Sequence, residues 1–306
     1  MTVDRRTVLR TTVKLAALAS AGGLLTACGD TGRRRADPGS FAVRPGPVDP
    51  SGTVDPAWPA GEGPASPSPS PTASAPTADG PAPDGAAARA AASAPPVPPV
   101  LPPLAAGTPF EVAYGPRTGR NVALTCHGSG DPALATALLE TAEKRGVGLT
   151  VMVVGSWLDQ QPQMARRILD GGHELGNHTQ NHQNISAMSP DRARDEIAQC
   201  AERLQRLTGS IGRWFRPSAA QYATPMVREQ ARAVGYEHVL AFDVDPRDYA
   251  DPTAAELQRR VLNSVRGGSV VALHLGHRCT VDALPGILDG LAKAGLTPVT
   301  ASRLCA

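Results

Sequence analysis

Seven apolar, β-rich runs alternate with helical patterns between residues 121 and 300, and this alternation restricts the fold more than any other feature of the sequence. The runs are NVALTC (121–126), GLTVMVVG (148–155), HELGNH (173–178), GRWFRP (212–217), YEHVLAFDVD (236–245), SVVALHL (269–275) and LTPVT (296–300). Strands that each feed a helix pair in parallel through right-handed crossovers. The sequence therefore predicts an α/β fold, a closed or nearly closed (β/α) barrel whose function lies at the carboxyl ends of the strands.

The segments between these runs carry helix signals. Residues 131–146 begin with Asp-Pro and end at a glycine, and the long amphipathic segment 189–209 begins with Ser-Pro, a cap followed by a first-turn proline. Further helices are predicted through QMARRILDGG (163–172), near 224–234, from about 253 to 265 and near 282–294. These helices supply the crossover connections that parallel strands need.

Residues 1–28 have the pattern of an export signal rather than of a folded segment. Paired arginines precede an apolar stretch over 15–25, as in a twin-arginine signal, and the following LTAC resembles a bacterial lipobox, in which Cys28 becomes the lipidated first residue. The alternatives are an ordinary signal peptide cleaved near Ala27 or an uncleaved anchor, although the apolar stretch is shorter than the roughly 20 residues that span a bilayer. We therefore expect an exported protein, lipid-anchored to the outer face of the cytoplasmic membrane and extending into the cell wall.

Residues 29–107 form a Pro-, Ala- and Ser-rich segment that lacks the composition of a hydrophobic core. It holds about two-thirds of the chain's 30 prolines and almost no aromatic residues. We expect a disordered, semi-extended linker that holds the following domain away from the membrane. The formal net charge of the whole chain is only +2, which argues against a nucleic-acid partner.

About 200 residues, 108–306, remain, and they suffice for one domain, which we expect to be monomeric. They contain Cys126, Cys200, Cys279 and Cys305, an even number in a chain predicted to reach an oxidising compartment. Four cysteines allow three pairings, which sequence does not distinguish, and some could equally be buried thiols. Of the pairings we favour Cys279 with Cys305, which would tie down the C-terminal end.

Side chains able to do chemistry fall where the predicted strands end. They are His127, His178, His182, Arg216, the group Asp243–Asp248, His274 and His277. Five of the seven histidines of the chain belong to this set. Because function in such barrels lies at the strand ends, this clustering indicates a functional site. The other two histidines, His173 and His238, fall within predicted core elements and are interpreted as structural.

GNHTQNH (176–182) places His178 and His182 four residues apart after a short strand. On a helical turn this spacing puts both imidazoles on one side, as two ligands of one metal require. A bare HxxxH pattern is common by chance, and the alternative is a capping turn with one satisfied core histidine. Its place at a strand end favours a divalent metal site.

Four segments resemble motifs of the polysaccharide deacetylase (NodB-homology) family, in the family's order over residues 120–304. GGHELGNHTQNHQNISAMS (171–189) is similar to its second motif, which carries HTxxH. RPSAA (216–220) lies where the family has an RPPYG-like segment, DVDPRDY (243–249) resembles a DxxDW-type motif, and VVALHLGH (270–277) resembles an LHD-like motif. The resemblance implies the family's distorted (β/α)7-type barrel and the removal of N-acetyl or O-acetyl groups from cell-wall polysaccharide.

The resemblance also implies roles for particular residues. His178 and His182 would bind the divalent metal, which activates a water for attack on the acetyl carbonyl. His274 would protonate the leaving amine, and Asp248 would orient that histidine and favour its imidazolium form. Arg216 matches the arginine that partners the family's catalytic aspartate. The alternatives are a buried, hydrogen-bonded structural histidine at 274 and a surface salt bridge at 216.

The first motif departs from the family. The family has TFDDGP, with consecutive aspartates as base and metal ligand, whereas this chain has TCHGSG followed by Asp131. His127 replaces the base, and Gly128 replaces the acidic ligand. Smaller departures are RPSAA without an aromatic residue, Tyr249 in place of tryptophan and Leu275 in place of aspartate.

Two hypotheses follow for the altered site. In the first it remains a hydrolase, in which His127, with an ordinary pKa of about 6.5, acts as the general base or else joins His178 and His182 as a third metal ligand. The loss of a carboxylate would then favour zinc over a harder metal. In the second the domain is a degenerate deacetylase that binds polysaccharide or a cell-envelope partner without turnover. We favour the hydrolase, because a decayed site would not be expected to keep both metal-binding histidines and the Asp248–His274 pair.

Overall fold

A computed structural model describes residues 100–306. The predicted export signal with Cys28, and the predicted linker up to residue 99, lie outside the described residues. The end of the predicted linker packs on the domain, where the Ala105 N–H donates to Cys305 O at 2.7 Å. In the described part of the chain, no helix combines the length and the hydropathy that crossing a bilayer requires.

Strands and helices alternate along residues 100–306. The strands are β1 (Glu111–Val112), β2 (Asn121–Gly128), β3 (Thr150–Val153), β4 (Glu174–Asn177), β5 (Trp214–Phe215), β6 (His238–Leu240), β7 (Val270–His274) and β8 (Thr297–Val299). The helices are α1 (Pro132–Glu143), α2 (Gly155–Gln160), α3 (Gln163–Asp170), α4 (Pro190–Thr208), α5 (Pro225–Val234), α6 (Ala254–Ser264), α7 (Arg278–Lys293) and α8 (Ala301–Leu304). All seven predicted strands are present, whereas β1, α2 and α8 were not predicted because each is too short to show a clear sequence period.

The strands form one sheet in the order β1-β6-β5-β4-β3-β2-β7, with β8 beside the start of β2, and all these strand pairs are parallel. The chain that follows β6 then turns toward β7, where an isolated parallel bridge joins Val244 to Val271. This bridge brings the two sides of the sheet together. The predicted distorted, nearly closed (β/α) barrel is therefore confirmed.

Most helices begin where the sequence supplies a cap. The side chain of Asp131 accepts the backbone N–H of Ala133 at the start of α1, and Ser189 caps α4 ahead of its first-turn proline. Helix α7 differs from the prediction, because it begins at Arg278 rather than near 282 and continues through Pro285. The free energy gained by burying the apolar face of α7 exceeds the cost of the backbone hydrogen bond that Pro285 removes.

Residues of β2 alternate between two packing layers. Leu124 and Cys126 lie in the outer core between the sheet and the helices, while Ala123 packs in the inner core of the barrel. Because successive side chains of a strand point to opposite faces, odd-numbered residues face the barrel interior. This alternation directs His127 inward and Gly128 outward.

The four cysteines of the described chain are free thiols, so the predicted Cys279–Cys305 pairing is wrong. Cys305 lies in the inner core, whereas Cys279 packs against the outer core and lies 3.3 Å from Asp248 O. The two side chains thus belong to different packing layers of the barrel. Burial raises the pKa of the Cys305 thiol to about 11.

The buried carboxyl group of Glu174 joins several elements at the end of the barrel where the strands begin. Its Oε1 accepts the indole N–H of Trp214 at 2.9 Å. Its Oε2 accepts the backbone N–H of Ser302 at 3.0 Å and the hydroxyl of Thr150 at 3.1 Å, and the Ser302 hydroxyl donates to Oε1. One side chain therefore satisfies donors from β3, β5 and α8, and it fastens the C-terminal helix to the barrel.

We expect Glu174→Ala to lower the free energy of unfolding by about 3 kcal/mol, because several buried donors lose their acceptor at once. Urea unfolding followed by fluorescence measures this change. Glu174→Gln keeps one acceptor oxygen and should lose less than the alanine variant. Equal stability of the alanine variant and the unchanged protein would contradict this account.

Candidate active site

His127 and His274 lie side by side at the carboxyl ends of neighbouring strands. The parallel register of β2 and β7 places the Cα atom of His127 opposite that of His274. Nδ1 of His127 lies 2.8 Å from Nε2 of His274, and the two rings are perpendicular with centroids 4.4 Å apart. The residue predicted as base and the residue predicted as acid are thus joined by a direct hydrogen bond.

Asp248 holds the other side of the His274 ring. Its Oδ1 lies 2.7 Å from His274 Nδ1, while Oδ2 accepts the backbone N–H of His274 and the hydroxyl of Thr280, each at 2.7 Å. Burial alone would raise the pKa of Asp248, but attraction by His274 and these hydrogen bonds outweigh it and hold that pKa below its usual range. Asp248, His274 and His127 therefore form one hydrogen-bonded chain, which we call the Asp–His–His chain.

The Asp–His–His chain directs one nitrogen of His127 toward the site. When His274 donates its Nδ1–H to Asp248, its Nε2 accepts the Nδ1–H of His127, and Nε2 of His127 keeps a lone pair. That Nε2 is buried and makes no hydrogen bond within residues 100–306. Burial, followed by the nearby His274 and His178, lowers the pKa of His127 well below its usual value. The imidazole is therefore neutral near pH 7, and it is a weaker base than an exposed histidine.

His178 and His182 direct their Nε2 atoms at each other. His178 follows β4, and its Nδ1–H donates to Arg216 O at 3.0 Å, which leaves Nε2 as the electron-pair donor. Nε2 of His182 lies 3.1 Å from Nε2 of His178. His182 has a left-handed backbone, with φ at 53°, and this conformation turns its side chain back toward β4. The four-residue spacing suggested a helical turn, but the pair lies in a loop and not in a helix.

The His178–His182 pair suits two positions around a divalent metal. Two imidazole nitrogens bound at about 2.0–2.1 Å from zinc lie about 2.9–3.4 Å apart, depending on the angle at the metal. The observed 3.1 Å falls within this interval, and the hydrogen bond to Arg216 O fixes the tautomer as in other histidine metal sites. However, residues 100–306 contain no group of three or more His, Cys, Asp or Glu side chains placed to hold a metal. The residues present thus fit a two-histidine site.

The alternative in which His127 is a third metal ligand is not realised in this arrangement. The His127 ring stacks on that of His178, with centroids 4.4 Å apart and planes inclined by 27°. Its Nδ1 is engaged with His274. A stacked ring shares a face with its neighbour, whereas two ligands of one metal point their nitrogens at a common centre. The geometry favours His127 as an acid–base group rather than as a ligand.

Gly128 faces away from His178 and His182, the two candidate metal ligands. A Cβ atom at this position would lie 2.9 Å from Val151 Cγ1 and 3.0 Å from the Cα atom of Val153, both on the outer side of the sheet. A carboxylate at 128 would therefore enter the layer beneath the helices. The sequence comparison treated Gly128 as a lost metal ligand, but in this backbone no side chain at 128 points at the site.

Arg216 is fully buried, so its interpretation as a surface salt bridge is excluded. Its Nε donates to Leu240 O at 2.8 Å and its Nη2 to the hydroxyl of Thr125 at 2.9 Å, while Nη1 is buried without a hydrogen bond in the described chain. Burial lowers the pKa of Arg216 to about 9, so the side chain remains charged at neutral pH. None of these partners is a carboxylate that would offset the charge. This agrees with the sequence, in which His127 stands where the motif TFDDGP has the aspartate expected to pair with this arginine.

The other acidic residues of the 243–248 group make contacts that stabilise the loop after β6. Asp243 pairs with Arg117 at 2.7 Å, and Asp245 accepts the backbone N–H of Arg247 at 2.9 Å. Neither belongs to the Asp–His–His chain. His173 and His238 also lie apart from the site, as predicted, and each is hydrogen-bonded in its own surroundings.

Backbone strain is concentrated in the loops that carry the site. Among residues 100–306, the non-glycine residues with a left-handed backbone are Thr179, His182, Ala219, Arg247 and Asp251. All of them lie in the loop segments after β4, β5 and β6, which also carry the candidate ligands, Arg216 and Asp248. A left-handed residue with a side chain costs roughly 1–2 kcal/mol, and such strain persists where the surroundings hold it in place. The site therefore has a defined, preorganised backbone.

Several contributors were missed by the sequence analysis. Thr280 donates to Asp248, Thr125 accepts from Arg216, and Phe242 lies edge-on to His127 with ring centroids 6.4 Å apart. Threonine and phenylalanine are common in cores, so the residue types offered no signal of a role in the site.

Comparisons with known proteins agree with this fold. Residues 115–239 match a family model described as polysaccharide deacetylase. A peptidoglycan-N-acetylglucosamine deacetylase from Bacillus cereus is 30% identical over 193 residues, which are 62% of this chain and 90% of that protein. The chain therefore belongs to the polysaccharide deacetylase family.

Solved structures show the same architecture. A crystal structure of the peptidoglycan N-acetylglucosamine deacetylase Bc1960, bound to a naphthalenyl N-hydroxybenzamide, has a TM-score of 0.60 at 26% identity; the match covers 64% of this chain and 96% of that one. A mutant of a Bacillus anthracis CE4 family pseudoenzyme, described as having restored enzymatic activity, has a TM-score of 0.62 at 25% identity and covers 65% and 72%. The fold is thus similar to that of proteins described both as deacetylases and as a pseudoenzyme.

Gly128→Ala should lower the free energy of unfolding by about 1–3 kcal/mol, because its Cβ would press on Val151 and on the backbone of Val153. Gly119→Ala is the matched control, since the nearest atom to its Cβ is 3.7 Å away, and it should change stability by less than about 0.5 kcal/mol. Chemical denaturation of both variants tests the packing. An unchanged free energy of unfolding in Gly128→Ala would show that position 128 does not face the outer core.

Stability should fall as the pH drops below about 6.5, because the unfolded chain then binds protons that the folded histidines do not. His127 and His178 have folded-state pKa values well below the usual one, so each contributes a loss of up to about 1.4 kcal/mol per pH unit. Urea unfolding with chelator at pH 7, 6 and 5 measures the slope, and His127→Gln should reduce it. A slope unchanged by this substitution would contradict the burial of a neutral imidazole.

Proposed function

We propose that this chain is a cell-surface hydrolase that removes acetyl groups from cell-wall polysaccharide. The observation that carries the proposal is that the Asp–His–His chain lies beside the His178–His182 nitrogen pair at the carboxyl end of the barrel, where the His127 ring stacks on that of His178. Family membership supports it, as does the similarity to a peptidoglycan-N-acetylglucosamine deacetylase. An N-acetylated or O-acetylated glycan is accordingly the proposed substrate.

In this proposal the Asp–His–His chain carries out the proton transfers. Nε2 of His127 accepts a proton from the water that attacks the acetyl carbonyl, and His274, whose charged form Asp248 stabilises, gives a proton to the amine as the C–N bond breaks. A divalent metal, proposed as zinc, would be held by His178 and His182 and would polarise the acetyl carbonyl when bound. Because the pKa of His127 is low, we expect slow turnover that is insensitive to pH above neutrality.

The proposed setting of the reaction is the cell envelope. The export signal, lipidation at Cys28 and the proline-rich linker to residue 107 remain predictions from the sequence, and together they would present the domain to the wall from a membrane anchor. The comparison with a peptidoglycan deacetylase supports action outside the cytoplasm. We propose a monomeric protein whose partner is the glycan itself.

A second candidate is a deacetylase-fold domain that binds glycan without turning it over. The absence of a three-ligand group within residues 100–306 favours this candidate, as does the similarity to a described CE4 family pseudoenzyme. Catalytic zinc is usually held by three protein ligands, and two imidazoles bind it more weakly. The two candidates differ in turnover and in their response to a chelator.

Purified, zinc-loaded protein should release acetate from acetylated chitooligosaccharide or peptidoglycan, and His274→Ala and His127→Ala should each reduce kcat by about 100-fold or more. Bound zinc, measured by elemental analysis, should fall in His178→Ala and persist in His127→Ala. His238→Ala is the matched control, since that histidine bonds to Pro109 O away from the site.

If the unchanged protein releases acetate no faster than His178→Ala does, the hydrolase proposal is wrong. In that case, retention on insoluble peptidoglycan that is unaffected by chelator would support the binding module, and no retention would count against it.

A further inference from the structure

The loop between the two candidate metal ligands is held in place by the start of α2. The backbone N–H of Gly155 donates to Thr179 O at 2.9 Å, and that of Ser156 donates to Gln180 O at 2.7 Å. Thr179 and His182 are both left-handed, with φ at 68° and 53°. Such a backbone persists in residues with side chains where the surroundings hold it. Contacts from outside the loop therefore maintain its conformation.

Glu196 of α4 holds the residue directly before His182. Its Oε2 accepts the backbone N–H of Asn181 at 2.8 Å, and its Oε1 accepts the side-chain amide N–H of Asn181 at 2.7 Å. Glu196 is buried, whereas Asn181 lies at the surface. Because both groups of Asn181 donate, a carboxylate is the side chain that accepts both, and a charged acceptor strengthens each hydrogen bond. Helix α4 thus fixes both the backbone and the side chain of Asn181.

The residue directly after His182 is held as well. The hydroxyl of Ser218, in the loop after β5, donates to Gln183 O. His178 is supported by the sheet itself, since its backbone N–H donates to Val153 O at 2.8 Å. Of the two candidate ligands, His182 is therefore the one whose position depends on the loop. The distance of 3.1 Å between the two Nε2 atoms accordingly depends on how firmly the neighbours of His182 are held.

We propose that Glu196, acting through Asn181, is a positioning residue that sets the distance between the two ligand nitrogens and so the affinity of the site for a divalent metal; this inference rests on the metal site of the proposed function. If Asn181 is released, His182 leaves its left-handed conformation and its Nε2 moves away from that of His178. Only molecules with both nitrogens in place bind the metal, so the apparent dissociation constant rises as their fraction falls. Glu196 acts on metal binding only through this loop.

Exchanging the two interacting groups tests this assignment, with zinc affinity measured by competition with a chromophoric chelator. Glu196→Gln turns an amide NH2 group toward a donor of Asn181, and it should raise the zinc dissociation constant by about 10-fold. Asn181→Asp alone sets two carboxylates against each other and should also weaken zinc binding. In the double variant the new glutamine accepts the backbone N–H of residue 181 and donates to the new aspartate. The zinc affinity should therefore return to within about twofold of that of the unchanged protein.

Glu202→Gln is the matched control, since Glu202 is exposed on the same helix, and its zinc affinity should equal that of the unchanged protein. Thermal unfolding of the zinc-free variants separates positioning from stability. A purely structural Glu196 would give Glu196→Gln a lower unfolding temperature and leave the zinc affinity of the folded protein unchanged.

The outcomes separate this inference from the function on which it rests. An unchanged zinc affinity in folded Glu196→Gln overturns the inference, as does a double variant that binds zinc no better than Glu196→Gln. Tighter binding by Asn181→Asp alone would assign any gain to the added charge, and it too overturns the inference. If Glu196→Gln does not fold, Asn181→Ala decides, because Asn181 is exposed and its truncation leaves no cavity. Its zinc affinity should fall by a similar factor, and an unchanged affinity overturns the inference.

Zinc affinity is measured without turnover. A protein that binds zinc and releases no acetate therefore contradicts only the hydrolase proposal. An unchanged protein that binds no zinc overturns the metal site, and this inference with it.

Discussion

The parallel pairing of β2 with β7 is the constraint on which the site depends. Its register sets His127 opposite His274, and the alternation of β2 side chains then decides which residues of the altered motif face the barrel interior. A shift of one residue would turn His127 into the outer core and bring Cys126 or Gly128 inward. The backbone ladder, which carries no chemistry of its own, thus determines which side chain can meet Asp248 and His274.

Replacing an aspartate by His127 changes the electrostatics of the whole site. A carboxylate at this position would offset the buried charge of Arg216, whereas a neutral imidazole does not, and the guanidinium is left with carbonyl and hydroxyl acceptors. In return, the imidazole extends the Asp248–His274 pair into a chain of three groups. In place of an ion pair with Arg216, the site therefore has a longer hydrogen-bonded chain of acid–base groups. The left-handed residues that surround it show that the backbone remains tightly specified.

Much of the fold was predictable because the pattern of apolar runs and helix caps is local. All seven predicted strands and the long helices are present, since each has a clear period and a start signal such as Asp131-Pro132 or Ser189-Pro190. The start of α7 was placed near residue 282 rather than at Arg278, because His277, which precedes the helix, makes no side-chain cap that would mark its beginning. The predicted pairing of Cys279 with Cys305 failed because spacing along the chain does not reveal which packing layer holds each thiol.

The sequence by itself determined the barrel, the family and the group of histidines at the strand ends, because these follow from residue types and their spacing. Only the tertiary structure decided which of these residues are in contact and which way their side chains point. The hydrogen bond from His127 to His274, the pairing of His274 with Asp248, the outward direction of Gly128 and the burial of Arg216 all depend on segments far apart in the chain. Such contacts depend on strand register and loop conformation, which are set by the packing of the whole barrel.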